Sequence, residues 1–213
     1  MLIRALAAIV MVAAPTSAFC QVKIGPTLRA ELRAAETDQR QSELAKAMDA
    51  LASDLNAKIG AWAKVERNRQ AVVALIDSGA FFGFNAGQLP MDPVRRGPTR
   101  RDPSQKGVAA SNETLDAIRA ILRSRPWLEL VVVAHTDDTG SHEFNDRLTA
   151  ERSLALKSYI SRWDVSPERI KAIGLGKREP IGSNEDAEGR MANRRIELGF
   201  RLSEATRRQL ESN

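Results

Sequence analysis

Between Asn112 and Leu202 short apolar runs alternate with stretches of helical spacing, and this alternation limits the fold more than any other feature. Leu115, Ile118, Ile121 and Leu122 fall on one side of a helix that Ser111 or Asn112 can cap and Pro126 stops. Leu128–Ala134, LELVVVA, is a continuous apolar run of strand length. A helix over residues 142–163 follows, then strands over 170–175 and 195–202, RIELGFRL. Ala80–Phe84, AFFGF, supplies a further strand before the first helix. The expected order is β-α-β-α-β-β, an α+β two-layer sandwich with helices over a mixed sheet.

Upstream, apolar residues recur from Leu44 through Met48, Leu51, Leu55, Ile59 and Trp62 to Val65, then at Val72 and Ile76. Steps of three and four predict a helical arm over residues 27–78, started by Pro26 and ended by Ser78-Gly79. A narrow stripe of this kind suits a coiled-coil spacer, and a homodimer through the arm is expected. A helical hairpin packed onto the domain is the other arrangement that the stripe allows.

Ahead of the arm, Arg4 precedes the apolar run Ala5–Ala14, and Pro15-Thr16-Ser17-Ala18 follows. That is the three-part pattern of a secretory signal peptide, with cleavage expected near Ala18 and residues 1–18 removed. The run is shorter than the roughly 20 residues a membrane-crossing helix needs. An uncleaved anchor, or lipidation at Cys20, are the alternatives, and the bulky Phe19 fits the second poorly. As the sole cysteine, Cys20 leaves no disulfide framework and no cysteine zinc cluster.

Charge narrows the function classes. The net charge is +5. The excess lies in residues 1–26 and in a proline-rich loop at 90–110, where Arg95, Arg96, Arg100, Arg101 and Lys106 outweigh Asp92 and Asp102. Residues 111–202 are balanced, so the domain has no basic excess with which to hold nucleic acid. Aromatic residues at 5% offer little surface for stacking bases.

The chemistry-bearing residues cluster around HTDDTG, 135–140. His135, Asp137, His142 and Glu143 are potential metal ligands, but His142 lies beyond a turn and no HExxH motif is present, so no metal or other cofactor is expected. No nucleophile–base pair is indicated, so no catalytic residue is expected either. On the following helix Leu148, Arg152, Ala155, Tyr159 and Trp163 share a stripe, and an arginine among inward residues needs a carboxylate. Asp137, at the end of the preceding strand, can supply it. The two form either an internal salt bridge or the two ends of a pocket for a zwitterion, and the residues alone leave both open.

The segment HTDDTGSHEFNDRLTAERSLALKSYI, followed by ERIKAIGLGKREPIGSNEDAEGRMANRRIEL, resembles the OmpA-like C-terminal domain. That peptidoglycan-binding module occurs in outer-membrane proteins, peptidoglycan-associated lipoproteins and flagellar stator B proteins. The resemblance covers roughly residues 80–202. Ala134, Thr149 and Ser153 replace the usual Gly, Ser and Ala, and the proline-rich insertion is long. The resemblance implies that Asp137 binds the ammonium of stem-peptide diaminopimelate and Arg152 its carboxylate. Asn145 and Leu148 would line the same side, the amides around Thr139 and Gly140 would donate, and Arg194 would be a further contact. A salt bridge closing the last strand onto the preceding loop is expected of Arg195 rather than of Arg194. The implied function is non-catalytic tethering of the cell envelope to the wall, in the periplasm or at the outer membrane of a Gram-negative type bacterium. The alternative is a wall-anchored stator-type or other structural subunit with an envelope protein partner for the arm. Residues 203–213 read as a tail.

Overall fold

The computed structural model describes residues 26–68, 71–82, 86–89 and 105–211, with side chains described over 39–68, 71–82, 86–89 and 112–210. The expected signal peptide, Cys20 and most of the basic loop lie outside the described residues.

Helix α1 (Pro26–Ile59) ends where Gly60 donates its amide to Asn56 O at 3.0 Å and Trp62 turns back onto Ile59 O. The chain then forms a hairpin, β1 (Ala63–Arg67) and β2 (Ala71–Asp77). Helical structure over 63–77 was the expectation, and it is overturned. The segment AVVALID is rich in β-branched residues and buries Val72, Ala74 and Ile76 alternately, which is the period of a strand. It also takes the place expected for AFFGF. A 3-10 turn at Ser78–Ala80, capped by Asp77, leads instead to Phe81 and Phe82, both buried and edge-to-face at 6.4 Å. Two consecutive inward side chains cannot belong to a regular strand.

Helix α2 (Gln105–Ser124) begins inside the segment expected as loop. Then follow β3 (Leu128–His135), α3 (His142–Ile160), β4 (Ile170–Gly176), α4 (Ala187–Asn193), β5 (Arg195–Leu202) and α5 (Glu204–Glu211). Helices α4 and α5 replace an expected loop and tail. Helix α3 stops three residues short of Trp163, which has φ 67° and is 84% exposed, so it leaves the stripe assigned to it.

The sheet order is β1-β2-β5-β3-β4, antiparallel except for β3 beside β4. This is the expected mixed sheet, with one more edge strand. Leu128, Leu130, Val132 and Ala134 of β3 and Ile196, Leu198 and Phe200 of β5 point to one face. Against it pack Leu115, Ile118 and Leu122 of α2, Leu156 and Ile160 of α3, and Met48, Leu51, Leu55 and Ile59 of α1. The stripe expected to face a second chain, from Met48 to Ile59, is therefore the core of this one. At Gly174 the backbone of α3 approaches so closely that a Cβ would lie 2.4 Å from Ala150 N. Only glycine lets β4 seat under that helix.

Candidate functional site

The loop between β3 and α3 is built by its own polar residues. Thr136 N donates to Gly176 O at 2.9 Å, continuing the parallel pairing past the strand end. Asp137 then turns the chain, its Oδ1 accepting from Thr139 N at 3.1 Å. Gly140 has φ 92°, a left-handed conformation that glycine adopts without strain. Ser141 caps α3 by accepting from Phe144 N, and Asn145 Nδ2 reaches back to Thr139 O at 2.9 Å. Lys177 Nζ donates to Gly140 O at 2.9 Å and ties the loop to the end of β4. The loop is thus held from both sides before any ligand arrives.

Asp137 is 8% exposed. Its Oδ2 accepts from Arg194 Nη1 at 2.6 Å, an ion pair between residues 57 positions apart. Burial raises the Asp137 pKa, but the Arg194 contact and the Thr139 donors outweigh it and leave the carboxyl below its usual range. The carboxylate is charged, mostly buried and paired.

Arg152 is 5% exposed. It points back from α3 over the ring of Phe82, 5.1 Å from the centroid, and its Nε donates to Ala86 O at 2.9 Å. Burial lowers its pKa, and the charge of Asp77 partly opposes this. The Asp137–Arg152 bridge that the sequence allows is not the pair formed: Asp137 meets Arg194, and Arg152 meets the segment after β2. That segment links the two arginines. Ser78 N donates to Arg194 O at 2.9 Å, and Phe82 and Ala86 hold Arg152. Asn145, Leu148 and Arg152 all lie on the buried face of α3. Asn145 and Arg152 are seven residues apart there, about 10 Å along the axis, and the side chain of Arg152 leans back toward Leu148.

A second polar group lies beneath this loop. His135 is 1% exposed and Arg195 5% exposed, and both approach Glu197. His135 Nε2 lies 3.4 Å from Glu197 Oε1, and Arg195 Nη2, the closer partner, lies at 2.6 Å. Together they hold the Glu197 pKa at about 2. Arg195 Nη1 also donates to Glu179 O at 3.2 Å, so the last strand is tied to the preceding loop by a hydrogen bond to a backbone carbonyl, while the salt bridge of Arg195 stays within its own strand, on Glu197. Reading along RIELGFRL with a period of two places Arg195 and Glu197 on one face, the signal that would have found this group. Asn193 was missed as well. Fully buried, it accepts from Ile181 N and Gly182 N and donates to Gly182 O and Asn184 Oδ1, all within 2.9 Å. Asn184 Oδ1 in turn accepts from Asp138 N at 3.3 Å. The 181–184 loop thereby braces the loop of Asp137. Among the described residues no three His, Cys, Asp or Glu side chains gather as a metal site would need.

Residues 104–194 match the family model described as OmpA family. This segment is an OmpA-family domain. It is 35% identical over 86 residues to outer membrane protein A of Bordetella avium, covering 40% of this chain and 44% of that protein. It is 34% identical over 91 residues to peptidoglycan-binding protein ArfA of Mycobacterium tuberculosis, covering 43% of this chain and 28% of that protein. The chain thus spans less than half of each relative. The fold of the OmpA-family domain and its flanking elements is that of a MotB-like protein from Desulfovibrio vulgaris. The TM-score is 0.62 at 19% identity, over 76% of this chain and 99% of that one. That likeness takes in more of the chain than the family match does.

Proposed function

We propose that the OmpA-family domain binds peptidoglycan without catalysis, through the diaminopimelate of the stem peptide. One observation carries the reading. Asp137 is a buried carboxylate on a braced loop, with a cation already bound, inside a domain shared with a relative named as peptidoglycan-binding. The ammonium of the ligand would take Asp137. Its carboxylate would take Arg152, whose planar guanidinium suits two-pronged contact. Leu148 would supply the apolar wall, and the chain would work in the periplasm, held to the wall.

The test compares Asp137→Asn with wild type in sacculus pull-down and thermal melting. A charge-assisted contact contributes roughly 1.5–3 kcal/mol, so binding should fall about tenfold or more while the fold survives. A folded Asp137→Asn protein that binds sacculi like wild type would overturn the assignment. Arg152→Ala is the poorer probe, because Arg152 is buried against Phe82 and Ala86 and its removal disturbs the packing.

A structural subunit anchored to the wall is the second reading, favoured by the 34 residues of α1. Since Met48 to Ile59 lie in the core, a partner would meet the helix before Leu44.

A further inference from the structure

We propose that Arg194 is a displaceable counter-ion that makes the site demand an ammonium and a carboxylate together. The inference rests on the diaminopimelate reading and adds the device that would set its selectivity.

Both oxygens of Asp137 already accept a bond, Oδ1 from Thr139 N and Oδ2 from Arg194 Nη1. With the Asp137 side chain only 11% exposed, an amine reaches Oδ2 by taking the place of the guanidinium. The two groups differ in their freedom. Asp137 is confined to a loop held by Gly176, Lys177 and Asn184, and its side chain is 11% exposed. Apart from the Asp137 pair, the bonds that hold Arg194 among the described residues are in its backbone, its amide on Arg190 O at 3.1 Å and its carbonyl accepting from Ser78 N at 2.9 Å. Its side chain is 41% exposed and can swing toward solvent while the backbone stays.

A lone amine gains little from this swap. It exchanges one cation on Asp137 for another, leaves Arg194 to water and bears the whole entropic cost of association. The resident pair carries no such cost, because both partners belong to one chain. A lone carboxylate fares no better, since Arg194 is already neutralised and Asp137 repels the newcomer. A ligand with both charges on one carbon changes the balance. Its ammonium replaces the guanidinium on Asp137, and its carboxylate receives the guanidinium that it released. One ion pair becomes two. Sequence-level reading makes Arg194 one more contact; the geometry makes it the element that rejects half-ligands.

The test uses the full chain and three probes that share a five-carbon chain: diaminopimelate, cadaverine (lacking the carboxylates) and pimelate (lacking the amines). Titration calorimetry should show wild type binding diaminopimelate and neither of the others. In Arg194→Gln the buried carboxylate has lost its resident cation, so cadaverine binding should appear. The preference for diaminopimelate over cadaverine should fall about tenfold or more, the equivalent of one charge-assisted contact. A wild type that binds cadaverine as well as diaminopimelate overturns the proposal. So does an Arg194→Gln protein that loses diaminopimelate and gains no cadaverine, which would make Arg194 an ordinary contact and leave the diaminopimelate reading standing. A wild type that binds none of the probes overturns both. Should Arg194→Gln not fold, the wild type still decides. The Arg194 guanidinium Nε–H resonance must move on adding diaminopimelate and stay on adding cadaverine, and a resonance unmoved at saturation refutes the exchange.

Discussion

Replacing Glu197 with Gln isolates the charge on which the site loop rests. Glu197 is held by the His135 ring and, at shorter range, by the Arg195 guanidinium, and its carboxyl falls from an ordinary 4.5 to about 2. Its side chain is 29% exposed, so solvent screens it only in part. The gap between the two values corresponds to roughly 3 kcal/mol of stability at neutral pH. Because the folded value is the lower one, this contribution is complete above pH 4.5. It declines as pH falls from there toward 2, where the carboxylate protonates in the folded chain too. Urea unfolding of wild type and Glu197→Gln from pH 7 to pH 2 gives the difference directly, and titrations that the two proteins share cancel. The difference should be roughly 3 kcal/mol at pH 7 and shrink through this window. A difference that stays constant from pH 7 to pH 2, or never exceeds about 0.5 kcal/mol, where ordinary surface substitutions fall, would refute the charge argument and leave Glu197 a packing residue.

Leu51→Asp should unfold the domain rather than separate two chains, since Leu51 is fully buried. Even truncation of such a leucine to alanine costs about 2–5 kcal/mol, and loss of the circular-dichroism transition together with any change in sedimentation checks it. Asn193→Ala strands the amides of Ile181 and Gly182, at roughly 1–3 kcal/mol for each buried group left unpaired. Those two amides should lose hydrogen-exchange protection before the core strands do, and unchanged protection would show that the loop holds itself.

Where one segment meets a single environment, the sequence announces its structure. LELVVVA and RIELGFRL turn alternate side chains into one core, and their runs and alternation mark β3 and β5 to within a residue or two. The stripe from Leu44 to Ile59 likewise marks α1 correctly as a helix. Beyond Gly60, spacings of three cease to mean a helix, because Trp62 and Val65 belong to a turn and a strand. AFFGF misleads for a related reason: an aromatic cluster plugs the end of a core as readily as it forms a strand. At the site, HTDDTG and the asparagine of the following helix were legible because their contacts are local. The partner of Asp137 was not. Arg194 comes from the junction of α4 and β5, and only the strand order brings that junction beside β3. The buried Arg152 found its contacts on a segment whose path no periodicity specifies.

The direction of α1 has a mechanical consequence. Ala63, just after its last turn, lies in register with Ile76, Ile196 and Ala134, at the end of the sheet that carries the Asp137 loop. Arg67, at the opposite end, bonds to Ala45 O and Asp49 further back along the helix. The helix therefore approaches from the pole remote from the loop and runs the length of the sheet. Tension between the start of α1 and anything gripped at Asp137 is directed along the strands, across ladder bonds that lie perpendicular to it. Bonds loaded in that direction share the force and yield together, whereas a pull from the side would open them one at a time like a zip. A load applied between those two points would run along the line that joins them.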